Sequence, residues 1–128
     1  MKLTNNFNLN EFNKHNFALT ETVLRNLQEL AKNLQVLRDE VKKPIKITSG
    51  YRSPEFNDGI KGAVKNSQHT LGKAADLKIE GYTPKQVAAI IEKLIAAGKM
   101  KQGGLGTYST WVHYDTYFNG KNPRRWSK

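Results

Sequence analysis

The 128-residue sequence contains no cysteine. That excludes disulfides, thiolate zinc fingers, iron–sulfur clusters and a cysteine nucleophile, and leaves His, Asp and Glu as the side chains able to hold a metal. Long apolar runs are missing as well: no segment approaches the ~18 residues of a membrane-spanning helix. Residues Met1 to Phe7 carry one lysine but no apolar stretch of the kind a secretory leader needs. The chain is therefore expected to be cytoplasmic as synthesised, and to meet a substrate outside the membrane only after release. Negative charge is scarce, with 11 Asp and Glu against 21 Lys and Arg, a formal net charge of +10. Such a surface attracts polyanions: nucleic acid, anionic lipid or acidic wall polymers. Its densest clusters, Lys42-Lys43 and Arg124-Arg125, fall short of a nucleic-acid tract and are not interleaved with aromatics.

The length suits one domain over residues 1–128, large enough to bury roughly two thirds of its unfolded surface. Residues 1–19, with Phe7, Leu9, Phe12 and Phe17 in a polar stretch, read as an irregular arm pinned to the body by its aromatics. Residues 20–41 repeat apolar side chains at helical spacing from Val23 to Val41, with Thr20 as cap and Pro44 beyond the end. Ile45 to Thr48 alternates as a half-buried strand does. Residues 50–73 hold Gly50, Pro54, Gly59, Gly62 and Gly72 and read as a long functional loop, with one helical turn at 54–61. A strand is expected over Ala74 to Ile79 and a helix over about 84–97, opened by the capping box Thr83-Pro84-Lys85-Gln86 and closed by Gly98. Gly103 to Gly106 reads as a tight connection, Trp111 to Asp115 as the final strand, and Asn119 to Lys128 as a polar turn and tail packed down by Trp126. The order points to an α+β domain with a small sheet.

Of three histidines, His15 sits in the arm and reads as solvent-exposed. His69 ends the glycine-rich loop, Asp76 follows in the next strand, and His113 lies on the last one. Two imidazoles and a carboxylate suit Zn²⁺ with a position left for water. On spacing alone a second reading stands beside this one: His69 as a turn residue, Asp76 as a cap or ion-pair partner, His113 as a half-buried sheet residue.

The runs Ile47-Thr48-Ser49-Gly50-Tyr51-Arg52-Ser53-Pro54, Asn57, Ser67-Gln68-His69, Gly72, Ala74-Ala75-Asp76 and Trp111-Val112-His113 together resemble the M15 family of zinc peptidases, which comprises D-alanyl-D-alanine carboxypeptidases and peptidoglycan endopeptidases. The arm and first helix look like the leading part of the short, phage-type members. The resemblance implies an antiparallel sheet with flanking helices and a zinc site on one sheet face. It implies His69, Asp76 and His113 as zinc ligands, and Arg52 as the group beside the metal that steadies the substrate carbonyl as charge grows on it. The family's acidic residue three positions before the last ligand is Thr110 here, and a histidine two before it is Trp111. Asp115 is then the candidate general base, since positions 113 and 115 of a strand share a face; it can equally orient a ligand histidine. Ser67 and Gln68 shape the loop and are candidate substrate contacts. Tyr51, Tyr108 and Tyr114 read either as pocket walls or as core.

The expected function is zinc-dependent hydrolysis of peptidoglycan stem or cross-bridge peptides by a monomeric, endolysin-like enzyme drawn to anionic walls. A carboxypeptidase that trims stem ends is the nearest rival. A non-catalytic wall-binding domain and a basic nucleic-acid-binding protein are the others.

Overall fold

The computed structural model describes residues 1–60 and 67–128. Among these residues four helices, α1 (Leu9–Phe12), α2 (Glu21–Val41), α3 (Pro54–Asp58) and α4 (Pro84–Ala96), flank one five-stranded sheet. Its strands are β1 (Ile45–Ser49), β2 (Ala74–Ile79), β3 (Gly104–Thr107), β4 (Val112–Asp115) and β5 (Arg124–Ser127), in spatial order β1-β2-β4-β3-β5. The α+β expectation holds, and among the described residues no helix is long and apolar enough to cross a membrane.

Helix α2 starts where the Thr20 hydroxyl accepts the Val23 N–H, and ends at Lys42 in the left-handed conformation, φ 57°. Its apolar stripe, Val23, Leu27, Leu30, Ala31, Leu34, Leu37 and Val41, is buried. Helix α4 begins with the reciprocal Thr83–Gln86 capping box, carries Pro84 in its first turn, and buries Val87, Ile91 and Leu94. Both stripes join one core with Ile45, Ile47, Ala75, Leu77, Ile79, Leu105, Val112 and Tyr114 from the sheet. Truncating a fully buried leucine such as Leu30 or Leu77 costs about 2–5 kcal/mol in such a core. Because strand side chains alternate, Asp76, His113, Asp115 and Trp126 fall on the opposite face, away from α2 and α4.

The sheet departs from the expected pattern at one edge. Strands β1, β2, β4 and β3 pair antiparallel, but β5 adds parallel to β3. The segment expected as a tight connection, Gly103 to Gly106, is instead largely strand β3, and the expected tail forms β5, so β4 is not the last strand. The arm is more ordered than expected. Asn8 and Glu11 cap the short helix α1, and Phe7 and Phe12 are buried with ring centroids 5.7 Å apart. In the expected long loop, Ser53 caps α3 and a 3-10 turn covers Gln68–Leu71; Gly62 lies outside the described residues.

Candidate metal centre

Strand register builds the site. Ser49 pairs with Asp76, Asp76 with His113, His113 with Gly106, and Gly106 with Trp126, so one transverse line crosses all five strands. Directly opposed residues share a face. Asp76 and His113 are thereby neighbours, although 37 residues separate them in sequence.

His69 reaches the same point from the 3-10 turn. Ser67 caps that turn by accepting the His69 N–H at 3.2 Å, and Gly72, φ 74°, ends it. The imidazole Nδ1 lies 2.8 Å from the Gly50 carbonyl oxygen. A carbonyl only accepts, so Nδ1 carries the hydrogen and Nε2 presents its lone pair. Gly50 is itself fixed from the arm: Tyr51 N–H donates to the Phe12 carbonyl at 2.7 Å, and a Cβ on Gly50 would overlap the Phe12 backbone.

His69 Nε2 lies 3.4 Å and His113 Nδ1 3.2 Å from Asp76 Oδ1. The three ligand atoms lie within 4.8 Å of one another, and both histidines are buried. His113 Nε2 faces the other way, donating to Asp115 Oδ2 at 2.7 Å. Asp115 is wholly buried, and its Oδ1 accepts from Gly104 N–H at 2.9 Å, Tyr117 N–H at 3.1 Å and the Arg124 guanidinium.

Electrostatics favour a cation here. Burial pushes the Asp76 carboxyl up, but hydrogen bonds and attraction from His113 and His69 outweigh it and hold the group well below the usual carboxylate range. Burial alone lowers the His113 pKa, yet its contacts with Asp115 and Asp76 raise it overall. Asp115 is likewise lowered, with burial opposed by His113, the Gly104 N–H and Arg124. Two carboxylates thus stabilise positive charge at His113. With two imidazoles and one carboxylate converging, the donor set fits Zn²⁺.

Arg52 stands beside this cluster, with Nη2 3.9 Å from Asp76 Oδ2. Its fork is held by the Ser49 hydroxyl at 3.2 and 3.3 Å and by Asn57 Oδ1 at 3.3 Å. Its backbone N–H donates to the His69 carbonyl at 3.1 Å, tying the two loop segments together.

The other singled-out residues are dispersed. Gln68 opens the 3-10 turn, and its side-chain oxygen has no hydrogen-bond partner among the described residues. Tyr51 is buried edge-on against Phe17, and Tyr114 is fully buried with its hydroxyl on the Lys101 carbonyl. His15 is exposed and packs on Phe56. Trp111 stacks on Tyr108 with centroids 4.5 Å apart, and Thr110 is exposed. Sequence reading missed the two supports from the tail: Arg124 on Asp115, and the Trp126 indole 5.0 Å from the His113 ring. The signal available was the alternation Arg124-Arg125-Trp126-Ser127, which places positions 124 and 126 on one face.

Comparison with known proteins finds relatives of one kind. The chain is 38% identical over 81 residues to peptidoglycan L,D-endopeptidase MepK of Escherichia coli (strain K12), covering 59% of this chain and 41% of that protein. It is 35% identical over 78 residues to the probable peptidoglycan L,D-endopeptidase MepK of Haemophilus influenzae, covering 56% of this chain and 39% of that one. The aligned part thus spans about two fifths of the length of these curated relatives. Residues 5–115, which include Arg52, His69, Asp76, His113 and Asp115, match the family model described as peptidase M15, and the chain belongs to that family.

Proposed function

We propose that this chain is a zinc-dependent peptidase that hydrolyses peptide bonds of peptidoglycan, acting as an endopeptidase. The observation that carries this reading is the convergence of His69 Nε2, Asp76 Oδ1 and His113 Nδ1 with the Arg52 guanidinium alongside. When bound, Zn²⁺ supplies a Lewis acid and a water whose pKa falls to roughly 7.

The remaining chemistry belongs to the chain. Arg52, fixed by Ser49 and Asn57, is placed to stabilise negative charge growing on the scissile carbonyl oxygen. Gly50 and Asp115 each hold one imidazole hydrogen and so keep the opposite nitrogen free for a ligand role. Of the two roles open to Asp115, positioning of His113 is supported better than that of general base, because both its oxygens already accept hydrogen bonds and its side chain has no exposed surface. Ser67 and Gln68, on the turn that carries His69, are the proposed substrate contacts. Tyr51, buried among core residues, is given a packing role.

The substrate class is supported by the relatives, which are named peptidoglycan L,D-endopeptidases. That name also favours an endopeptidase over a carboxypeptidase. The net charge of +10 favours adsorption to anionic walls and makes it weaken with salt.

The test joins metal analysis of the purified chain to digestion of purified walls. About one zinc per chain is expected, with loss of cross-linked dimers and loss of activity in His69→Ala. Undiminished digestion by His69→Ala overturns the mechanism. Free D-alanine released while cross-linked dimers persist would assign the carboxypeptidase reaction instead.

A further inference from the structure

We propose that strand β5 is a working part of the metal centre, with Arg124 as a positioning residue that fixes His113 through Asp115. This rests on the zinc reading above. β5 lies beyond residues 5–115, the part matched to the family model. It is nevertheless hydrogen-bonded into the sheet two strands away from Asp76's partner β4, across β3.

Arg124 Nη2 donates both to Asp115 Oδ1 and, at 3.1 Å, to the Tyr117 carbonyl, and its guanidinium lies over the Tyr117 ring 5.2 Å from the centroid. The guanidinium is therefore held at three points. With Gly104 N–H and Tyr117 N–H it occupies Oδ1, which sets the carboxylate's rotation and leaves Oδ2 aimed at His113 Nε2. A ring held at Nε2 presents Nδ1 to Asp76 in one orientation.

The same strand braces the ring directly. Trp126 packs 5.0 Å from His113, and its Nε1–H donates to the Tyr108 hydroxyl at 2.9 Å. Strand β3 makes room for both contacts by lacking side chains where they occur. A Cβ on Gly104 would overlap the Asp115 carboxylate and the Arg124 guanidinium, and one on Gly106 would overlap the Trp126 indole. Two glycines two residues apart, facing the same side, are explained together by β5 reaching across β3 to the ligand strand.

The experiment measures Zn²⁺ affinity of the full chain by competition with a chromophoric chelator, together with the visible spectrum of the Co²⁺-loaded protein. Arg124→Met is expected to weaken zinc binding by about tenfold or more, within the range for a lost outer partner of a ligand, with far-UV circular dichroism unchanged. Arg124→Lys should recover part of the loss. In an Asp115→Asn background the further change to Met should cost less than about twofold, since Arg124 acts through that carboxylate. Zinc affinity and cobalt spectrum unchanged in Arg124→Met overturn the proposal; so does an equal loss with and without the Asp115 carboxylate. Should Arg124→Met fail to fold, Arg124→Gln is compared in the same way. His69→Ala separates the two readings: if it abolishes zinc binding while Arg124→Met binds normally, the zinc site stands and the role of β5 falls. A wild-type chain that binds no zinc overturns both.

Discussion

Replacing Asp115 by asparagine changes one atom type in a fully buried side chain and should lower zinc affinity without unfolding the protein. Among the described residues, each hydrogen-bond partner of this carboxylate is a donor: His113 Nε2, Gly104 N–H, Tyr117 N–H and Arg124. Asparagine brings one acceptor and one donating NH₂. If its oxygen stays with Gly104, Tyr117 and Arg124, the NH₂ faces His113 Nε2, which must then accept. The ring hydrogen moves to Nδ1, the nitrogen that faces Asp76, and a protonated nitrogen cannot bind a metal. If the amide is turned round, its NH₂ is pressed against two N–H groups and a guanidinium, and leaving buried donors unsatisfied costs about 1–3 kcal/mol each. The first arrangement is the cheaper. Loss of an outer partner of this kind reduces metal affinity by about 10–100-fold, or about 1.4–2.8 kcal/mol. Chelator competition on the purified variant reads that change directly. Zinc affinity within twofold of wild type, with turnover abolished, would refute the reasoning and make Asp115 a proton acceptor in the reaction.

Two further outcomes follow from the same geometry. Without metal, Asp76 and Asp115 have lowered pKa values and His113 a raised one. The carboxylates' contribution is complete above their unfolded pKa of about 4 and fades as pH drops through the folded values; that of His113 is complete below about 6.5 and fades as pH rises through its folded value. Thermal unfolding of zinc-free protein should therefore show stability falling as pH rises above about 6.5, a decline absent in His113→Gln; a rise there contradicts the account. Gly106→Ala should destabilise by about 1–3 kcal/mol, as overpacking does, and shift Trp fluorescence, because the added methyl meets the Trp126 indole. Urea unfolding checks it, and a change under half a kilocalorie, about the size of a neutral surface substitution, would show that the strand pair gives way freely.

Much of the scaffold was legible because local chemistry and tertiary structure agree there. The apolar spacing from Val23 to Val41 needs no partner to be recognised, and Thr20 and Thr83 cap their helices through contacts within one turn. The candidate ligand set His69, Asp76 and His113 was visible only as three residue types in a familiar order. What brings them together is register, Asp76 opposite His113, and a hydrogen bond from His69 to the Gly50 carbonyl, 19 residues upstream. Neither is a property of spacing. Asp115 was open between two roles for the same reason: the strand period gave its face, but its partners Gly104 and Arg124 come from segments whose strands were not recognised.

The errors at β3 and β5 have one cause, and it is functional. Glycine at 104 and 106 removes the alternating apolar signal by which a strand is read, so the segment looks like a turn. Those glycines are what allow Arg124 and Trp126 to lie across β3 toward Asp115 and His113. β5 in turn is short and basic, and Leu105, the buried apolar residue of β3, faces away from the site. Each strand hides the other: without β5 the glycines have no purpose, and without the glycines β5 cannot reach the ligand strand. A pattern that weakens local strand propensity and appears only in pairs is therefore itself a pointer to a site, since β3 gives up two side chains beside His113 where a purely structural strand would keep them.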